Sequence, residues 1–334
     1  MKMLLKPYFV TFVLSIACFQ TVSVFAEIKS VQASLFHGGN VEVVGAPHSH
    51  NLEIAIISDV LFSSDYTDSE KKEIFLQLGD PRQGVQLTEI MHSYDYIQNR
   101  VLESNISWLG VENSSLHLES QLNLLEVVVF RLNLDISKNI RAKRAMVYLM
   151  GPILYLKLVE ANVNPNIGRA LQQVHILPLE SASARKKFEA ASTEYDKNLK
   201  AISSVPIDIL HSLESLIRLF DNLGKEISKE QIEASSKRVD KVYRNIVKKF
   251  LYSYKNRQAA MNLRDKKMAK SVVRASKKYN GNGLVLVGSR HLTGLPEKIS
   301  NESENYKESY LRKFLHRIKS FTNRGARCSN LFGS

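Results

Sequence analysis

Short runs of apolar residues alternate along this chain with longer segments in which the apolar residues recur at helical spacing. Four short runs are rich in bulky apolar side chains and end at Gly, Pro or a polar residue, which is typical of buried strands. They lie at residues 41–44, 106–114, 172–181 and 284–287. Residues 52–62 are compatible with a helix or a strand, and the pattern does not decide between them.

The helical segments are longer and contain few glycines or prolines. From Val85 to Leu102 the apolar positions follow one face of a helix. Other helices are predicted at 137–161, with a kink at Gly151-Pro152, and at 183–203, 206–224, 228–256, 257–279 and 298–320. Because strands alternate with helices, we predict an α/β fold in which a parallel or mixed sheet is covered by helices.

The first 26 residues are typical of a secretory signal peptide. Lys2 and Lys6 precede an apolar stretch at 8–19, and residues 24–26 carry side chains that a signal peptidase accepts. An uncleaved anchor is the alternative, but the apolar stretch is shorter than the ~20 residues that a membrane span requires. We therefore expect a protein exported to a bacterial periplasm or secreted.

The two cysteines agree with export. Cys18 falls within the signal peptide, so that only Cys328 would remain and no internal disulfide could form. Cys18 also raises the alternative of a lipoprotein, but Ser15 stands where a lipid-attachment motif requires an aliphatic residue.

The chain is basic, with a formal net charge of +13. On an exported protein this charge indicates affinity for an anionic envelope surface, or simply solubility, and we expect no nucleic-acid partner. The last residues, 321–334, are predicted to form a flexible basic tail.

Two Gly-x-x-His motifs follow strand-like runs. The first contains Gly45 and His48, and the second contains Gly288 and His291. With 15 glycines and 9 histidines in the chain, chance alone would place a Gly three residues before a His about 0.4 times. Glycine lets the chain turn sharply off a strand, so that each imidazole would point back over the edge of the sheet. The pair therefore favours a shared site, although loop geometry alone is the alternative.

Acidic residues follow two further strands in the same way. Glu112 and Glu180 stand at the ends of the runs at 106–114 and 172–181. Since strand-to-helix loops cluster at the carboxyl edge of a parallel sheet, we expect them to lie near the two imidazoles. Such a group could bind a divalent metal or activate water directly.

The helix predicted before the second motif carries two charges on its apolar face. Counted from Met261, helical spacing places Arg264 and Asp265 on the same stripe as Met268. Charges on a buried face require partners. One interpretation is a structural ion pair; the other is that Arg264 binds an anionic group or holds a carboxylate such as Glu112.

These motifs resemble those of the superfamily that holds the Tiki proteases, the TraB/GumN proteins, the ChaN haem-uptake lipoproteins and the erythromycin esterases. The local similarity is to TraB-type proteins, in which an Arg-Asp-x-x-Met-Ala helix runs into Val-Gly-x-x-His-x-x-Gly. Here the corresponding stretches are RDKKMA (264–269) and VGSRHLTG (287–294). The resemblance covers residues 41–50, 85–114 and 257–297.

The resemblance implies a site lined by Gly45, His48, Glu112, Arg264, Asp265, Gly288 and His291. It also implies one domain at 27–320, made of two α/β halves (27–118 and 119–297) whose sheets share a cleft. The helices predicted from the scarcity of Gly and Pro would form a long helical insert at 183–256. His50 adds an imidazole to which the resemblance gives no role, and it is either a further ligand or a surface residue.

We therefore expect an exported hydrolase that cleaves a peptide or an ester. His48, Glu112 and His291 would bind Mn, Co or Zn, or position a water, while Arg264 would stabilise developing negative charge, with Asp265 beside it in the site. Two alternatives stay open. One is a protein that binds haem or another anionic ligand in the same cleft, and the other is a catalytically silent envelope or secreted protein on the same fold.

Overall fold

The computed structural model describes most of the chain between residues 30 and 329. The described ranges are 30–35, 39–46, 57, 59–80, 82, 85–103, 105–112, 118–202, 204–223 and 225–329. The predicted signal peptide, His48 and His50 lie outside these ranges, and so do residues 330–334.

Five strands form one mixed sheet. They are β1 (Ser30–Ser34), β2 (Asn40–Ala46), β3 (Trp108–Val111), β4 (His175–Pro178) and β5 (Gly283–Gly288). Their order is β1-β2-β5-β3-β4; β1 is antiparallel to β2, and all other neighbours are parallel. The α/β fold and the four predicted strands are confirmed. The apolar pattern does not predict β1, because this edge strand is largely polar and exposed.

Helices cover both faces of the sheet. The α-helices whose bounds are fully described are α1 (Asp68–Leu78), α2 (Val85–Leu102), α3 (Leu118–Glu126), α4 (Ile140–Met150), α5 (Pro152–Tyr155), α6 (Ala161–Val163), α7 (Pro165–Gln172), α8 (Ala182–Ile202), α9 (Ile207–Leu223), α10 (Lys229–Lys237), α11 (Lys241–Tyr279) and α12 (Leu295–Ser329). Residues 57 and 59–62 are also helical. π-helical stretches lie at Val127–Arg131 and Leu156–Glu160, and a 3₁₀ turn lies at Ser289–Thr293. Among the described residues, no helix combines the length and the apolar character that a membrane span needs.

The central strand β5 separates two hydrophobic cores. It is buried along its whole length. Leu284 and Leu286 pack with the helices that lie between residues 68 and 172, whereas Val285 and Val287 pack with the second half of α11 and the start of α12. This two-residue alternation is what a strand between two helical layers requires.

A third hydrophobic cluster lies away from the sheet. It joins α8, α9 and α10 to the first half of α11, and α8 packs along α11 over much of its length. We call residues 182–256 the helical arm. The arm corresponds to the helical insert predicted at 183–256.

Both predicted halves contribute strands to the sheet. The segment 27–118 provides β1, β2 and β3, while 119–297 provides β4 and β5. Because β5 lies between β2 and β3, the described strands of the two halves are interleaved in one sheet, whereas a separate sheet in each half was expected.

Helix boundaries in the last third of the chain differ from those predicted. A break predicted near 256 is wrong, because α11 is continuous over 39 residues and contains no Gly or Pro. The break occurs instead at 238–240, between α10 and α11. The final helix, α12, starts at Leu295 and continues to Ser329, into the segment predicted as a flexible tail.

Close packing between β3 and β5 predicts unequal effects of two glycine substitutions. A Cβ on Gly283 would lie 2.1 Å from the ring of the fully buried Trp108, whereas a Cβ on Gly110 would meet a methyl group of Leu179 at 2.6 Å. A rigid indole cannot move aside as a leucine can. We expect Gly283→Ala to lower the free energy of unfolding by about 3 kcal/mol or more, and Gly110→Ala by about 1 kcal/mol.

Urea unfolding followed by the fluorescence of Trp108, the single tryptophan of the chain, measures both variants. Equal stability of Gly283→Ala and the unmodified protein would contradict the packing described for β3 and β5.

Candidate functional site

Three strand ends bring the predicted residues together. Glu112 directly follows β3, His291 lies in the turn after β5, and Glu180 lies two residues beyond β4. Because β5, β3 and β4 are parallel neighbours, these residues share the carboxyl edge of the sheet. The side chains of all three are buried.

The first Gly-x-x-His motif begins at the same edge. Gly45 pairs with Val287, and Ala46 pairs with Gly288, across the parallel strands β2 and β5. The two motifs therefore begin side by side on adjacent strands. His48 follows Ala46 by two residues but lies outside the described ranges, so that its contact with His291 stays a prediction.

Glu112 is held by three groups. Its Oε2 accepts the backbone N–H of Gly288 at 2.7 Å. Its Oε1 accepts Nη2 of Arg264 at 2.8 Å and lies 3.2 Å from Nε2 of His291. Gly288 thus contributes its amide to fixing Glu112, in addition to turning the chain.

His291 lies between two carboxylates. Its Nδ1 is hydrogen-bonded to Oδ1 of Asp265, and its Nε2 faces Glu112. Burial alone would lower the pKa of His291, but the hydrogen bonds to the two carboxylates and their charges outweigh it and raise the pKa to about 9. Without a metal, the ring is therefore an imidazolium at neutral pH that donates both N–H groups.

The second oxygen of Asp265 is also engaged. Nζ of Lys298, in the first turn of α12, lies 3.1 Å from Oδ2 of Asp265 and 3.2 Å from Oδ1 of Asn262. Asp265 thus joins His291 to a lysine on the following helix. The site contains three carboxylates and two basic side chains, and the protonated imidazole balances their charges.

Arg264 joins two carboxylates from neighbouring strands. Its Nε donates to Oε1 of Glu180 at 2.6 Å, in addition to the bond from Nη2 to Glu112, and its guanidinium lies 4.5 Å from the ring centre of Phe188 on α8. The helical stripe correctly predicts that Arg264 and Asp265 are buried. The sequence left Arg264 either in a structural ion pair or as a residue that binds an anionic group or holds a carboxylate. The geometry favours the role in which Arg264 holds the carboxylate of Glu112.

The sequence places Glu180 near the site but does not predict its pairing with Arg264, and it gives Lys298 no role. Glu180 has a recognisable signal, its place at a strand end, but its partner cannot be identified without the tertiary structure. Lys298 has no comparable signal, because the apolar pattern places it at the start of a peripheral basic helix.

A divalent metal would find two suitable donors here. Nε2 of His291 and Oε1 of Glu112 are 3.2 Å apart. Two ligands at about 2.1 Å from one ion are separated by about 3.0 Å at a right angle and about 3.4 Å at the tetrahedral angle. Within the described ranges no group of three or more His, Cys, Asp or Glu side chains is placed to hold a metal, so a third ligand such as His48 would have to come from outside them.

Neither family models, nor curated proteins, nor solved structures match the chain. The similarity to Tiki and TraB-type proteins therefore rests on the quoted motifs.

The raised pKa of His291 predicts how stability depends on pH in chelator-treated protein. The pKa of His291 is about 9 in the folded protein and 6.5 in the unfolded chain. The protonated imidazole therefore stabilises the fold fully below about pH 6.5, and this stabilisation is lost as the pH rises through about 9. The contribution is about 3 kcal/mol. We expect the stability gap between the unmodified protein and His291→Gln to narrow from about pH 6 to about pH 10. Unfolding in urea at each pH measures the gap, and one that widens with pH would contradict the assignment.

Removing Arg264 should leave two buried carboxylates without their shared cation. We expect Arg264→Met to destabilise the fold by about 3–5 kcal/mol, and Glu180→Gln in the same chain to restore part of the loss. The control is Arg312→Met, which removes an exposed pair with Glu308 and should change stability by less than about 1 kcal/mol. Equal effects of the two arginine substitutions in thermal or urea unfolding would argue against the bridging role.

Proposed function

We propose that this chain is an exported, divalent-metal-dependent hydrolase of a peptide or ester bond. The observation that supports it best is the imidazole of His291, which is held between Asp265 and Glu112 at the carboxyl edge of the sheet. Groups that convert water into a nucleophile are buried, charged and fixed in orientation in this way. The signal peptide predicted at the N-terminus supports the exported location.

Exchanging the Nε2 proton of His291 for a divalent ion would add one positive charge to the site, which a bound hydroxide would balance. With the imidazole protonated, the cations and carboxylates of the described cluster cancel. A metal bound to a histidine nitrogen takes the place of a proton on that nitrogen. His291 and Glu112 would be the ligands from the described residues, and His48 would be the third. When bound, the metal would polarise the scissile carbonyl and lower the pKa of a water molecule.

The protein's own residues prepare this site. Asp265 accepts a hydrogen bond from the Nδ1–H group of His291. It thereby selects the tautomer whose Nε2 is directed towards Glu112. Arg264 and the amide of Gly288 keep the carboxylate of Glu112 from rotating. Nε2 and Glu112 therefore face one point in fixed geometry, which is what a reacting water or substrate carbonyl needs.

The test combines metal analysis with hydrolysis assays on the purified protein. After chelation, Mn, Co or Zn is added back and a panel of chromogenic esters and fluorogenic peptides is screened. We expect one ion per chain and metal-dependent turnover. His291→Gln, Glu112→Gln and His48→Ala should lose the metal and lower turnover by about 10²–10⁴-fold.

The matched control is His211→Ala, which removes an exposed histidine from α9 and should leave metal content and turnover unchanged. Folding of each variant is checked by circular dichroism. Turnover that persists undiminished in His291→Gln would overturn the proposal. A Soret band on addition of haem, without any hydrolysis, would favour the binding alternative.

A further inference from the structure

We propose that Lys298 is a positioning residue, which with Gly294 fixes the carboxylate of Asp265 and through it the imidazole of His291. This inference rests on the proposed function, because it assigns the support of the same site. It concerns a residue on α12, a helix that provides none of the candidate ligands.

The two oxygens of Asp265 are divided between two partners. Oδ1 is bonded to Nδ1 of His291, and Oδ2 lies 3.1 Å from Nζ of Lys298. A carboxylate held at only one oxygen can rotate about its side-chain bonds. Held at both, it presents Oδ1 to the imidazole in one direction, and the ring is oriented in turn.

The ammonium group has a defined place of its own. Besides Asp265 it contacts Oδ1 of Asn262 at 3.2 Å, three residues earlier on α11. Both acceptors lie on α11, whereas Lys298 belongs to α12. The contact therefore ties the start of α12, directly after the turn that contains His291, to the helix that carries Asp265.

Local helix energetics do not explain a lysine at this position. The N-terminus of a helix carries a partial positive charge, so that acidic side chains are favoured in the first turn and basic ones are disfavoured. Lys298 lies in the first turn of α12, where its backbone N–H donates to the carbonyl of Gly294 at 3.2 Å. Its ion pair with a buried carboxylate offsets this unfavourable placement.

Gly294 leaves the space that this contact needs. A Cβ on Gly294 would lie 2.9 Å from Nζ of Lys298 and 3.4 Å from Oδ2 of Asp265. An alanine would therefore displace the flexible end of the lysine while the backbone stays in place. The last glycine of the GSRHLTG stretch (288–294) thereby has a role distinct from that of Gly288.

The first experiment measures metal affinity in Lys298→Met with Co²⁺ and a competing chelator. Loss of outer support typically weakens metal binding by about 10-fold or more. Loss of a nearby positive charge, taken alone, would strengthen it, so the direction separates positioning from simple electrostatics. In a turnover assay kcat should fall while KM changes little.

The matched control is Lys270→Met. Lys270 also joins α11 to α12, through Glu302 at 3.8 Å, but it does not contact Asp265. We expect its metal affinity to stay within about twofold of the unmodified protein. Gly294→Ala, which keeps every charge, should weaken binding in the same direction as Lys298→Met. Lys298→Arg should restore part of the affinity.

The second experiment needs neither metal nor substrate. In protein freed of metal by a chelator, the Nδ1 proton of His291 is observed by NMR. Its signal is assigned by its absence in His291→Gln. We expect the signal to shift or broaden in Lys298→Met and Gly294→Ala, and to be unchanged in Lys270→Met. Circular dichroism verifies that each variant is folded.

Unchanged metal affinity together with an unchanged Nδ1 signal in Lys298→Met would overturn the inference. If the unmodified protein binds no metal and hydrolyses nothing, the proposed function fails, and the NMR comparison alone still decides whether Lys298 orients His291.

Discussion

The structure depends on neutralising charged groups that the fold buries at one edge of its sheet. An ionised side chain removed from water is tolerated only with a partner and with its hydrogen bonds satisfied. Each carboxylate of the site has a cationic neighbour. Arg264 forms ion pairs with Glu112 and Glu180, and Lys298 forms one with Asp265. His291 lies between the two sets and is bonded to both. The site is one connected network rather than a collection of separate pairs.

The topology of the sheet explains how such a network forms. The last strand, β5, enters the middle of the sheet between β2 and β3, and thus places the second Gly-x-x-His motif beside Gly45 and Ala46, where the first motif begins, and beside Glu112. The helix that precedes β5, α11, places Arg264 and Asp265 at the same edge of the sheet. The two apolar cores on either side hold these elements in register, and the helical arm contacts the network through Phe188.

Local patterns predicted four of the five strands, the turn at Gly288, and the burial of Arg264 and Asp265, because burial and periodicity are encoded within a few residues. The pairing of the buried charged residues is not encoded locally in this way. Arg264 and Glu112 are separated by 152 positions, and nothing near either residue indicates which carboxylate meets which cation. The role of Lys298 was not predicted, because it depends on the contact between α12 and α11. The continuous α11 was predicted as two separate helices, although no helix-breaking residue is present.

We propose that His291 and Glu112 share one bound ion with the loop that follows β2. Crystals of the protein grown with Co²⁺, or soaked in it, would show the ion directly by its anomalous scattering. We expect a single strong peak within bonding distance of Nε2 of His291 and Oε1 of Glu112, with His48 completing the ligands. A peak elsewhere on the molecule, or none at this pair in crystals saturated with the metal, would contradict it.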